Sequence, residues 1–305
     1  MNHTAKIALA TALALVLSVK SAVTAQAQTP VPAPDPVLAQ AEGLVGKALF
    51  VRGFYAANDL AYNAQGDLQN AAKVQVKLQD WTLSAVNVLK AQRRGRNEIQ
   101  LDGVRAAIRY NPDSHQFERH PHNDEAVRIT IVTLESASAS ATEPSESQQF
   151  ERALAVIFAI GIDPALQRSM PEFWRHYFDP ALPWGKDALA DVRIISPGSP
   201  PPGSPEAQQM VTFVNPVAVH RENAKFTDLA VRDKVNGEIE LRTVVDAEGI
   251  PRRITIVHPI GYGLDARAVE AVAKWRFRPG TLEGRPVATN ILIRELFDVP
   301  TPQHP

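Results

Sequence analysis

Three histidines, His115, His120 and His122, lie close together in the chain and share that stretch with Glu118, Asp124 and Glu125. Neutral imidazoles and ionised carboxylates are common metal ligands, so this density is compatible with a divalent cation site. His120 and His122, two positions apart, would share one face of an extended strand. Pro121 and the polar residues around it read more simply as an exposed hairpin tip. The three histidines therefore stand as weak metal candidates.

A second pattern, Gly261-x-Gly263-x-x-Ala266, follows a strand signal and opens a helix, as a dinucleotide-binding turn does, with Glu283 about 20 residues on. The strand before it is one arm of a hairpin, not a parallel βαβ arm. Asp265 places a carboxylate where a pyrophosphate would sit, which reverses the attraction of a helix N-terminus for anions. No second buried strand with a terminal acid follows. The glycines serve a tight strand-to-helix turn instead. There is no G-x-S-x-G elbow, no H-E-x-x-H and no phosphate-cradling loop with a lysine. Adjacent carboxylates such as Asp124 and Glu125 face opposite ways on a strand and make poor acid–base partners. No catalytic residue and no cofactor is expected.

The elements that would position these residues fall into three units. From 44 to 135 the pattern is mainly β. Lys47 to Phe54, Trp81 to Leu89, Asn97 to Tyr110 and Ala126 to Leu134 read as strands, separated by turn formers at 63–67, 94–96 and 111–113. This predicts an antiparallel sheet or a small open barrel. A low-complexity linker, 136–147, leads to a helical segment, 148–195. There Phe150, Leu154, Ile157 and Phe158 share one face, and a second helix runs from Pro164 to Phe178. The segment is expected to pack on the β domain. A Pro/Gly/Ser linker, 196–205, then marks a boundary.

In the last unit, 206–298, Ile239, Leu241, Thr243 and Val245 alternate with charged residues, and 246–249 forms a hairpin loop before Ile254 and Ile256. Leu264, Ala268, Ala271, Val272 and Trp275 make one helix face, and Pro279 stops the helix. Val287, Thr289, Ile291 and Ile293 form a closing strand. A short helix near Thr227 to Asp233 precedes them. The fold class is α+β: a three-stranded antiparallel sheet with packed helices, preceded by a mainly β domain with appended helices.

The first 27 residues read as an export signal. Lys6 precedes an apolar run from Ile7 to Val19, and Ala25-Gln26-Ala27 fits a small-x-small cleavage site. Lys20 ends the run short of the roughly 20 residues that span a bilayer. Residues 28–43 form a proline-rich lead-in. Loss of the signal would remove Lys6 and Lys20, leaving 30 basic against 33 acidic residues. That balance gives no general pull towards nucleic acid. With no cysteine anywhere, disulfides, thiolate metal sites and a lipid-modified cysteine are excluded.

One ordered set of motifs carries a resemblance. Gly261-Tyr262-Gly263-Leu264-Asp265, then a helix ending in Trp275-Arg276-Phe277-Arg278-Pro279, then Gly284-Arg285-Pro286-Val287 and a strand, resembles the C-terminal domain of the TonB energy-transducer family. Lys225 to Ala230, Val235-Asn236-Gly237 and Val244-Val245-Asp246-x-x-Gly249 fit the same domain. The likeness covers about 225–297, less than a quarter of the chain.

The resemblance implies a protein-binding module, not an enzyme, acting in the periplasm on an envelope protein such as an outer-membrane TonB-dependent transporter. In the family the C-terminal domain adds a strand from its partner, so open sheet edges matter. The candidate partner-strand residues are Asn223, Lys225 and Phe226, and Ile291, Ile293, Arg294 and Glu295 on the last strand. Core packing is the first role of Ile291, Ile293, Trp275 and Phe277. The family's contacting segment carries glutamine, proline and tyrosine where this chain reads N-A-K-F-T from Asn223 to Thr227. Its energised members also keep an N-terminal membrane helix with an internal histidine. Here His3 lies outside the apolar run, and a sheet-rich domain replaces the proline spacer. The leading expectation is an exported periplasmic TonB-like binder. An anchored single-pass inner-membrane transducer with 7–24 uncleaved, and a periplasmic metal- or small-ligand-binding protein, are the alternatives. A homodimer is compatible with the sequence.

Overall fold

The computed structural model describes residues 34–71, 80–134, 144–197 and 212–299. The expected export signal, and most of both linkers, lie outside the described residues. Residues from Asp35 onward form one compact unit.

The first sheet comprises β1 (Ala48–Val51), β2 (Asp59–Tyr62), β3 (Ala85–Arg93), β4 (Glu98–Asn111), β5 (Gln116–Val132) and β6 (Phe158–Ala159), in the order β2-β5-β4-β3-β1-β6. It is an open mixed sheet rather than an all-antiparallel one or a barrel, because β2 pairs β5 in parallel from Asp59↔Arg128 to Tyr62↔Ile131. Alternation along the strands buries both faces. Leu49 and Val51 enter one core with Leu101, Ile129 and Phe150, whereas Phe50 enters another with Trp81 and Ile108.

Two short helices complete the first layer. Residues read from sequence as a stiff lead-in instead form α1 (Pro36–Glu42). Asp35 caps it by accepting from Val37 and Leu38 N–H, and Pro36 stands at the first turn. α2 (Glu146–Ile157) begins with a capping box between Ser145 and Gln148 and buries Phe150 and Ile157. Phe158 has left the helix and pairs with Val51. The single helix expected over 164–178 is split into α3 (Pro164–Ser169) and α4 (Glu172–Phe178). Met170 is extended before Pro171, as the residue before a proline prefers to be.

The helical segment does not rest on the first sheet alone. α4 lies against the C-terminal sheet at β11 (Pro251–His258), and β7 (Ile194–Ile195) joins that sheet as a strand. The remaining elements are β8 (Phe213–Val214), β9 (Val217–His220), α5 (Asp228–Arg232), β10 (Gly237–Val245), α6 (Leu264–Val272), β12 (Arg276–Arg278), β13 (Gly280–Leu282) and β14 (Arg285–Phe297).

The central antiparallel trio β11-β10-β14 matches the expected sheet, but the sheet is larger than three strands. It continues to β13 and β8, with β7 parallel to β14. The cause is the turn at Glu283-Gly284, both at positive φ (53° and 76°). That two-residue geometry folds a hairpin, laying Gly280–Leu282 back on Arg285–Val287. β9 and β12 form a separate two-stranded ribbon.

One hydrophobic core joins the first sheet, α4 and the C-terminal elements. It contains Phe50, Trp81, Ile108, Trp174, Leu241 and Leu264, all buried. The G-Y-G turn is the seam. Tyr262 N–H donates to Ile108 O and Tyr110 N–H to Ile260 O, both at 2.8 Å. Gly261 is required there: a Cβ would lie 2.1 Å from Ile108 O, and its φ is +91°.

Candidate functional site

The longest strand of the C-terminal unit offers the open edge. β14 pairs β10 without interruption from Gly237↔Phe297 to Val245↔Thr289. On its other side β7 covers only Ala288 and Thr289. Asn290 Nδ2 then donates to Ser196 Oγ at 3.5 Å. Pro197 has no N–H with which to continue the ladder. From Asn290 to Phe297, β10 is the sole strand partner of β14 among the described residues.

Beside that edge runs a groove of about 700 Å³. β14 supplies one wall through Asn290 to Arg294. The β9–β12 ribbon supplies another through Ala218, Trp275 and Phe277. The ribbon is held firmly. Trp275 Nε1 donates to Glu222 O at 2.9 Å, Arg221 lies 5.0 Å over the Trp275 ring, and Phe277 N–H donates to Gly249 O at 2.9 Å. Gly249 admits this approach because a Cβ would fall 1.9 Å from Phe277 O. Trp275 and Phe277 are buried core residues and their remaining surface lines the groove, although Trp275 lies beyond the end of α6 at Val272 rather than on its face.

The candidate partner-strand residues separate into two groups. Ile291, Ile293 and Arg294 stand together on the groove wall. Ile293 is buried in the shared core and Ile291 packs against it. Arg294 is exposed and engages Glu240 at 3.2 Å and Glu238 at 3.6 Å. Glu295 is half-buried, and burial raises its carboxyl pKa against the lowering effect of Arg221. Asn223, Lys225 and Phe226 form no strand. Phe226 packs edge-on against Phe297 with ring centroids 5.2 Å apart, so its first role is structural. Two groove residues outside the sequence candidates, Arg221 and Arg242, were hidden because their approach to one groove depends on tertiary placement. The period-2 pattern of β10 does put Arg242 on the polar face.

The three histidines do not meet as ligands. β5 continues through the stretch read as a hairpin tip, with a bulge at 123–125 opposite Val104 and Arg105, and the turn sits earlier, at 112–115. Pro121 is tolerated because, among the described residues, β5 pairs there with β4 alone. His115 lies at the turn with Nδ1 3.2 Å from Tyr110 Oη. His120 faces the Tyr262 ring at 5.9 Å. His122 is buried between Arg232, which donates to its Nδ1, and Asp233 at 3.4 Å. Tyr262 Oη donates to Asp233 at 2.9 Å. His120 and His122 thus fasten the first sheet to the C-terminal unit, while His115 stays within the first sheet. No group of three or more potential ligands able to hold a metal occurs among the described residues.

The turn that resembles a nucleotide fingerprint is filled by its own acid. Asp265 accepts from Ile260 N–H at 2.8 Å and from Gly261 N–H at 2.7 Å. Gly263 N–H donates to Thr82 Oγ1, which donates to Asp80. Asp80 also accepts from Trp174 Nε1 at 2.7 Å. Burial raises the Asp80 carboxyl. Burial, and then the Asp80 carboxylate, push Asp265 up to about 8, against backbone N–H bonds that favour its ion.

Among the described residues no helix is long and apolar enough to cross a membrane. No curated protein matches the chain. Among solved structures it is similar to the Pseudomonas aeruginosa TonB C-terminal domain determined by solution NMR. That match has 15% identity, covers 30% of this chain and 91% of that one, and has a TM-score of 0.23. Residues 222–299 match the family described as the Gram-negative bacterial TonB protein C-terminal. The G-Y-G-L-D turn, the helix behind it and the W-R-F-R-P exit therefore belong to a TonB C-terminal domain, a non-catalytic class of module.

Proposed function

We propose that this chain is an exported envelope protein whose TonB C-terminal domain receives an extended segment of a partner along β14, in envelope transport. The observation that carries the reading is the Asn290–Phe297 edge, whose only strand partner among the described residues is β10 and which faces a groove. Unpaired N–H and C=O groups on an edge are a template for another strand, and side chains of alternate partner residues would enter the groove. An outer-membrane transporter is the partner class that the family suggests. The export signal at 1–27 supports a periplasmic address, with cleavage after Ala27.

Site-specific photo-crosslinking in whole cells tests the edge. A photoreactive residue at Leu292, exposed on β14, should give an adduct with an envelope protein. The same probe at Leu89, exposed on the first sheet, should not. An adduct yield at Leu292 no greater than at Leu89 would remove the reading.

A further inference from the structure

The chemistry of the groove narrows the partner. Among its lining residues are Arg221, Arg242 and Arg294, and none is acidic. Arg294 is already engaged by Glu238 and Glu240. Arg242, on β10 opposite Leu292, has no carboxylate within ion-pair distance among the described residues. Arg221 lies on the Trp275 ring, and its charge lowers the carboxyl pKa of the half-buried Glu295. Two cations thus point into a groove that supplies no counter-charge, beside a row of backbone groups ready to pair.

Arg242 belongs to the face of β10 that points away from the residues buried in the shared core. Ile239 and Leu241 turn into that core, while Arg242 is exposed. Leu292 and Leu296, both exposed, stand on the corresponding face of β14. A strand laid along β14 would show every second side chain to this face. It would meet apolar surface from the leucines and positive charge from Arg242, while its alternate side chains face Arg221, which lies over Trp275 on the side of Glu295. The self-strand β7 limits the run, since Pro197 ends it and leaves about eight positions of β14 at roughly 3.3 Å each.

We propose that the occupant of this edge is an extended protein segment carrying carboxylate side chains, selected by Arg221 and Arg242. The proposal rests on strand addition at β14. Each solvent-facing ion pair contributes modestly and is screened by salt, so two together give roughly tenfold selectivity at low ionic strength.

The test uses the full chain and fluorescent peptides of about eight residues. The peptides alternate valine and threonine, with glutamate scanned through each pair of positions and glutamine in matched controls. Anisotropy should show at least one glutamate peptide binding roughly tenfold tighter than its glutamine twin, with the gap closing as salt is raised. The double variant Arg221→Glu/Arg242→Glu should reverse the preference towards the lysine version of that peptide. Circular dichroism on this variant reports whether the fold is retained. Equal binding of glutamate and glutamine peptides, or a preference unmoved in the folded double variant, overturns the acidic selection while leaving strand addition standing. Failure of every peptide to bind overturns both.

Discussion

Asp265 shows how one residue can be read correctly in type and still carry more than its type suggests. Its position at the start of α6 is what a helix N-terminus favours, and its two oxygens do close the turn. Its complete burial near Asp80 has a further effect, because the folded state holds its proton up to about pH 8. An unfolded aspartate releases its proton near pH 4. Between those values the folded chain binds more protons than the unfolded one, so this group makes stability fall as pH rises from about 4 towards 8. Urea denaturation across that range should show the fall, and Asp265→Asn should make it shallower, leaving the part that the raised Asp80 carboxyl contributes. A wild-type stability that rises over the same window, with the variant unchanged from it, would contradict the assignment. The histidines carry the opposite lesson. Their residue types fit a metal, yet His122 is spent on Arg232 and Asp233, partners more than a hundred residues away in sequence.

At the scale of elements, the strand and helix periods were legible wherever one face is buried and the other wet. β10, the hairpin loop at 246–249 and β14 follow from alternation and Gly249, and α6 follows from its helical period but ends at Val272, ahead of the Trp275 and Pro279 expected to close it. The additions to the sheet were less legible. β7, β8 and β13 are two or three residues long, too short for a period to register, and their pairing is set by contacts distant in sequence. The open edge allows a sharp test. Of two neighbouring residues in an antiparallel strand, one directs its N–H to one side and the next to the other. Proline at Ile291 and proline at Leu292 should therefore differ. The variant whose lost N–H faced β10 should unfold more easily, by about 3 kcal/mol. The other should stay closer to native by circular dichroism and lose the Leu292-region adduct, read through a probe at Leu296. A folded proline variant that keeps full adduct yield would show that β14 is not the accepting edge.

At the scale of the whole molecule, the segments that composition separates are not independent in their packing. A proline-rich stretch before residue 206 suggests a boundary, but Trp81, Trp174 and Leu264 occupy one core on either side of it. Neither composition nor period carries the information that a turn in one segment will bridge to β4 in another. The consequence is measurable. Calorimetry of the full chain should show one cooperative transition for 35–305, and a fragment beginning at residue 206 should melt at a lower temperature, because Tyr262 loses its hydrogen bond to Ile108 and Gly263 its covering from Leu83. Two separate transitions, with the fragment as stable as its counterpart in the full chain, would count against a shared core.

The unbroken register between β10 and β14 also has a mechanical meaning. Inter-strand bonds lie across the strand direction, so tension transmitted along β14 by an attached segment loads the whole ladder from Gly237↔Phe297 to Val245↔Thr289 together. Such shear resists rupture better than peeling, in which bonds break one after another. The same strand is buttressed by a core that reaches β4 and α4. A pull on the partner would therefore be delivered to the protein body through a stiff coupling, and the partner's own grip on the edge would be the first link to give.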